Sequence, residues 1–225
     1  MRNIVILGGM GPQASVHLHD AILKVSRQHH SGAPDEYPSI VHISMRIPDF
    51  ISNKSNESDA IDIVNKAVQK HVTKDDTVCI ACNTAHNLLD ELDVPTEGFV
   101  SIIDSVVEEV VASGVKCVGL LASPNTIASG LYTKPLQRRG IAVVLPNATQ
   151  ITRLEELIRS VIDGSAGKKQ KAALSQIASS LEKRGAEGII LGCTELPVLG
   201  IDTSLPTFDS ISALAKNVVK KHSLL

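Results

Sequence analysis

Two cysteines stand in similar company. Cys82 ends the apolar run Val78-Cys79-Ile80-Ala81 and precedes Asn83-Thr84-Ala85-His86; Cys193 ends Gly188-Ile189-Ile190-Leu191-Gly192 and precedes Thr194-Glu195-Leu196-Pro197. Each run reads as a buried strand. The residues after each cysteine read as a helix start, where anions are favoured and a thiol is easier to ionise. Two thiols approaching one carbon from opposite sides suit a single kind of chemistry. A thiolate removes the proton from an amino acid's α-carbon on one face, and a thiol returns a proton on the other. The carboxylate must be held by donors that strengthen as carbanion charge develops. The backbone N–H groups after each cysteine, with the Asn83, Thr84 and Thr194 side chains, are the candidates. A lone cysteine is as readily a small core residue, so the weight rests on the matched pair.

Positioning such a pair needs a repeated framework, and the chain supplies one. Apolar, β-branched runs at Ile4–Leu7, Ser39–Ser44, Thr77–Ile80, Cys117–Leu121, Ala142–Leu145 and Gly188–Leu191 read as strands covered on both faces. Amphipathic segments at about 13–29, 57–71, 85–92, 103–113, 126–139, 150–163, 167–184 and 209–221 read as helices. The alternation predicts an α/β fold with mainly parallel sheets flanked by helices. Val5-Ile6-Leu7-Gly8 leading to Pro12 has a counterpart in Val118-Gly119-Leu120-Leu121 leading to Pro124, at nearly the spacing that separates the two cysteines. We therefore expect two similar lobes, 1–98 plus 206–225 and 99–205, with the last helix returning to the first.

Composition narrows the partners. Among 225 residues, 22 basic and 24 acidic side chains are mixed along the chain, and there are no Trp, two Tyr and three Phe. With no basic block and no stacking platform, neither nucleic acid nor sugars are expected as ligands. No apolar run approaches the roughly 18 residues a membrane span needs, and the apolar start is too short for a signal segment. Four cysteines are too few for a disulfide scaffold in a chain this long, which points to a reducing cytoplasm.

Other motifs are weaker. Cys79-Ile80-Ala81-Cys82 is formally C-x-x-C, but Cys79 falls inside a strand and zinc would need more ligands than His86. Gly9-Met10-Gly11-Pro12-Gln13-Ala14 echoes a dinucleotide loop. Ser44 ends the next strand where a ribose-binding acid would stand, and Pro12 removes an N–H. A small carboxylate fits that loop better than a nucleotide. His29-His30 reads as a solvated helix end, Cys117 as core, and Gly167-Lys168-Lys169-Gln170-Lys171 as a charged helix start. His86 could tune the Cys82 thiol or simply pack.

Gly8-Gly9-Met10-Gly11-Pro12, Cys82-Asn83-Thr84-Ala85-His86 and Gly192-Cys193-Thr194-Glu195-Leu196 together resemble the three signatures of the aspartate/glutamate racemases, in order and spacing, over essentially the whole chain. The resemblance implies two pseudo-symmetric lobes with an active site in the cleft, no cofactor or metal, an amino-acid substrate (aspartate or glutamate by default) and a homodimer. It implies that Cys193 deprotonates the L-enantiomer and Cys82 the D-enantiomer, with Met10, Asn83, Thr84 and Thr194 lining the site. Glu195, rather than His, points to the aspartate branch. That branch carries Arg after Ile-Pro-Asp to bind the distal carboxylate; here Ile47-Pro48-Asp49 is followed by Phe50. Arg46 lies nearby, and Lys168 or Lys169 resembles the branch's second distal-carboxylate residue. The alternatives are a related enzyme of the maleate isomerase, arylmalonate decarboxylase or hydantoin racemase type, or a silent ligand-binding relative.

Overall fold

A computed structural model describes residues 2–28, 33–50 and 54–224. His29 and His30 lie outside the described residues. The chain divides into two compact units, Met1–Ser105 with Ile211–Leu225, and Val106–Ser210.

The first unit is a parallel sheet ordered β2-β1-β3-β4, built from β1 (Ile4–Gly8), β2 (Ile40–Ser44), β3 (Thr77–Ile80) and β4 (Phe99–Val100). β1 and β3, in the middle of the sheet, are buried at every position because helices cover both faces, whereas the edge strand β2 is only partly buried. α1 (Pro12–Arg27) and α2 (Glu57–His71) connect the strands. α1 opens on Pro12, whose missing N–H costs nothing in a first turn, and closes with Lys24 and Arg27 in its last turn. α2 has Glu57 and Asp59 in its first turn and buries Ala60, Val64 and Val68, spaced by four residues to form one face. α3 (Ile102–Ser113) follows β4, and the chain passes into the second unit within it.

The second unit repeats the plan. Its parallel sheet is ordered β6-β5-β7-β8, from β5 (Cys117–Ala122), β6 (Ala142–Val144), β7 (Gly188–Gly192) and β8 (Thr207–Asp209). The single helix expected over 126–139 is two short ones, α4 (Pro124–Ser129) and α5 (Thr133–Arg138). α6 (Ala148–Ile162), α7 (Lys168–Glu182) and the one-turn α8 (Leu196–Leu199) complete it. β4 and β8 are strands that the sequence reading did not draw, and β8 keeps residues 207–209 with the second sheet.

α9 (Ser210–Leu224) belongs to the first unit from Ile211 onward. There Arg2 Nη2 donates to the Lys221 carbonyl (3.3 Å) and to Thr77 Oγ1 (2.8 Å). At the same end of the sheet, Asp76 is buried and accepts from the backbone N–H and side chain of both Asn3 and Thr73, at 2.8–3.1 Å. Burial pushes its carboxyl up, but these four bonds outweigh that and hold it below the ordinary carboxylate value. No helix among the described residues is long and apolar enough to cross a membrane.

Candidate active site

In each sheet the chain reverses its direction of travel beside the first strand of the unit: from β1 it goes to β2 on one side and then to β3 on the other. The loops leaving β1 and β3 therefore part and leave a crevice at their carboxyl ends, where open α/β sheets bind ligands. In the first unit those loops carry Met10 and Cys82. In the second the corresponding strands are β5 and β7, and the loops carry Ser123 and Cys193. Each thiol thus stands at the same point of its own sheet.

The first crevice is tightly fastened. The Ala81 N–H donates to the Leu7 carbonyl (3.0 Å), setting the Cys82 turn beside β1. The Met45 N–H donates to the Gly8 carbonyl (3.1 Å), so the loop after β2 hangs on the same turn. Gly9 has φ +100°, and a Cβ there would lie 1.9 Å from the Met45 carbonyl oxygen. Only glycine fits. Met10, Cys82, Asn83 and Thr84 are all buried.

The segment after Cys82 is a 3-10 helix, Thr84–Glu91, rather than the α-helix start that its sequence suggested. His86 sits within it and is buried. The Ile102 N–H donates to its Nε2 (3.2 Å), so the proton is on Nδ1, which donates to the Cys82 carbonyl (2.9 Å). Burial lowers its pKa to about 4, although the bond to the Cys82 carbonyl favours the charged form. His86 is a neutral brace on the Cys82 backbone and binds the carbonyl of that residue. The sequence left its role open; these two bonds answer it.

Cys79 lies within β3, fully buried, its thiol 3.7 Å from the Val5 carbonyl oxygen. Burial pushes its pKa up to about 12, so it stays a thiol, and no disulfide joins any of the four cysteines. Cys117 is partly buried in β5, its thiol pushed up by burial and by the Glu187 charge.

The second crevice is more polar. Cys193 Sγ donates to Glu195 Oε2 (3.0 Å), and Thr194 Oγ1 donates to the same oxygen (2.9 Å). All three residues are buried. The Leu196 N–H closes the turn on the Cys193 carbonyl (3.1 Å). Tyr132 is fully buried beside this turn, where a Cβ on Gly192 would come within 2.9 Å of its ring. Burial, and then the charges of Cys193 and Asp209, raise its phenol well above the ordinary value, so it remains a proton donor. Sequence reasoning missed Tyr132, because its burial depends on the break between α4 and α5. Ser123, also buried, caps α4 by accepting from the Thr126 N–H (3.3 Å).

The residues expected to meet a distal carboxylate are placed differently. Lys168 is the first residue of α7 and exposed, as is Lys169. α7 leads into the amino end of β7, so its first turn lies toward the carboxyl edge of the second sheet. Arg46 is exposed on the loop after β2. Phe50, on that same loop, is only 3% exposed and shares an apolar cluster with Met10 and Cys82.

The same plan recurs in known proteins. A sequence profile described as Asp/Glu/Hydantoin racemase matches residues 7–218. The broad specificity amino-acid racemase RacX of Bacillus subtilis is 27% identical, with 97% of each chain covered. Among solved structures, an aspartate racemase from Picrophilus torridus superposes with a TM-score of 0.84 at 26% identity, covering 99% of this chain and 95% of that one. An aspartate racemase homologue from Pyrococcus horikoshii gives 0.76 at 29% identity, covering 99% and 100%.

Proposed function

We propose that this chain, which belongs to the Asp/Glu/Hydantoin racemase family, racemises a free amino acid without a cofactor, using Cys82 and Cys193 as its two acid/base groups. The observation that carries the reading is the equivalence of the two thiols: each leaves the strand beside the first strand of its sheet, at the ligand-binding edge.

In the proposed reaction one cysteine is a thiolate and the other a thiol. The thiolate takes the α-proton; the C–H electron pair stays on the α-carbon and delocalises into the carboxylate. The second thiol's S–H bond then breaks, delivering its proton to the opposite face. The configuration inverts, and the two sulfurs exchange protonation states. Following the family pattern, Cys193 acts first on the L-enantiomer and Cys82 on the D-enantiomer. Backbone N–H groups after each cysteine, with Asn83, Thr84 and Thr194, hold the carboxylate as charge builds, and Met10 lines the site. Glu195, already bonded to the Cys193 thiol, acts through that thiol as a positioning residue. We place the enzyme in the cytoplasm as a homodimer.

The test is a panel of L- and D-amino acids in D2O, followed by chiral analysis and NMR. The product enantiomer should carry deuterium at the α-carbon. Cys82→Ala and Cys193→Ala should each lower racemisation by at least about a thousandfold. Full activity in either variant rules out the two-thiol mechanism.

A further inference from the structure

We infer that the preferred amino acid carries an uncharged, apolar side chain rather than a carboxylate, an inference that rests on the racemase reading.

At the carboxyl edge of the first sheet, the loops after β1 and β2 cover themselves with apolar side chains, while the turn after β3 also buries the polar Asn83, Thr84 and His86. Met10 after β1, Phe50 after β2 and Cys82 after β3 belong to one buried cluster, and Met45 and Ile47 pack against it. The charged members of the β2 loop, Arg46 and Asp49, lie outside that cluster, and Arg46 is exposed. No Lys or Arg is buried among the described residues. His86, packed beneath Cys82, is neutral and spends both ring nitrogens on backbone groups.

The second crevice is no better suited to an acidic side chain. Its buried charged side chain is the Glu195 carboxylate, and Asp209 ends the neighbouring strand beside Tyr132. Among the described residues, a distal carboxylate would give up water at either edge without meeting a buried guanidinium or ammonium, and at the second it would meet like charge. A methyl or thioether group loses nothing by leaving water and can pack on the partly exposed Met45 and Ile47, which border the cluster of Met10 and Phe50. Lys168 and Lys169, at the first turn of α7 on the carboxyl side, are exposed. A solvated lysine attracts a carboxylate weakly and does not select it.

The experiment measures kcat/KM for α-proton exchange in D2O with alanine, leucine, methionine, aspartate, glutamate and lysine, using the unmodified protein. Leucine or methionine should exceed aspartate and glutamate by about tenfold or more, a ratio that apolar contacts of this kind can supply. Aspartate, glutamate or lysine as the fastest substrate overturns the inference and leaves the racemase reading standing. No exchange with any amino acid overturns both. A second arm uses Phe50→Arg, which should shift the aspartate-to-methionine ratio toward aspartate by about tenfold. Because Phe50 is buried, Phe50→Leu is measured alongside. It should keep the apolar preference; a switch to aspartate in Phe50→Leu contradicts the inference even if Phe50→Arg fails to fold.

Discussion

The thiol of Cys193 donates across 3.0 Å to Glu195 Oε2, an oxygen that also accepts from the Thr194 hydroxyl. The first unit has Thr84 at the matching position of its turn, so the repeat differs at the residue nearest the sulfur's proton. Glu195→Gln preserves the shape and removes the negative charge. We expect kcat to fall by about tenfold to a hundredfold in each direction, with partial recovery in Glu195→Asp and a shifted pH profile. Because the enantiomers are equal in free energy, kcat/KM must fall by the same factor for both. Wild-type rates and pH profile in Glu195→Gln would remove the residue from the mechanism.

His86 predicts an acid weakness. Its imidazole titrates near 6.5 in the unfolded chain and near 4 in the fold, so between these values the unfolded chain binds a proton that the folded chain does not. The stability it contributes is complete above pH 6.5 and is lost as pH falls toward 4, with a ceiling on the order of 3 kcal/mol. Chemical denaturation from pH 7 to 4 should show a shallower loss in His86→Gln than in the wild type. Parallel curves would contradict the neutral brace.

Asp76 works in the same sense at lower pH. Burial pushes its carboxyl up, the four hydrogen bonds from Asn3 and Thr73 more than reverse that, and the net lowering stabilises the fold above the carboxyl's unfolded value near 3.8. That contribution disappears as pH drops below it. At pH 7, Asp76→Ala should cost about 1–3 kcal/mol in urea unfolding, since it strips the acceptor from four part-buried donors of Asn3 and Thr73. A loss below about 0.5 kcal/mol would show that these groups find other partners.

Gly9→Ala combines a positive φ with a Cβ placed against the Met45 carbonyl. We expect a loss of about 2–4 kcal/mol in thermal unfolding and weaker substrate binding, because the Met10 turn must move. Unchanged stability and KM would mean that the β2 loop yields freely.

Much of this fold could be read from the residues, and the failures have physical causes. The six apolar runs became strands within a residue or so of the expected bounds; the central ones are buried almost throughout, as expected, while the edge strands β2 and β6 are only partly covered. β4 and β8 span two and three residues, Phe99–Val100 and Thr207–Asp209; they exist only because β3 and β7 offer edges, which local sequence cannot announce. The helix expected over 126–139 breaks because Gly130 takes the left-handed conformation that ends α4. That break is what brings Tyr132 inside. The matched placement of Cys82 and Cys193 just after β3 and β7 was legible through repetition. The Cys193–Glu195 bond was not, since a residue two positions away can point anywhere until the turn is drawn.

The bond from the Met45 amide to the Gly8 carbonyl ties the loop bearing Ile47 and Phe50 to the turn bearing Met10. A single stretch of chain therefore carries a fixed anchor at Met45 and an exposed tip at Arg46 and Asp49. Substitution at the exposed positions 46 and 49 can retune what the enzyme accepts without disturbing the anchor or the buried Phe50, while change at position 9 is blocked. A directed library aimed at new substrates should diversify that tip first.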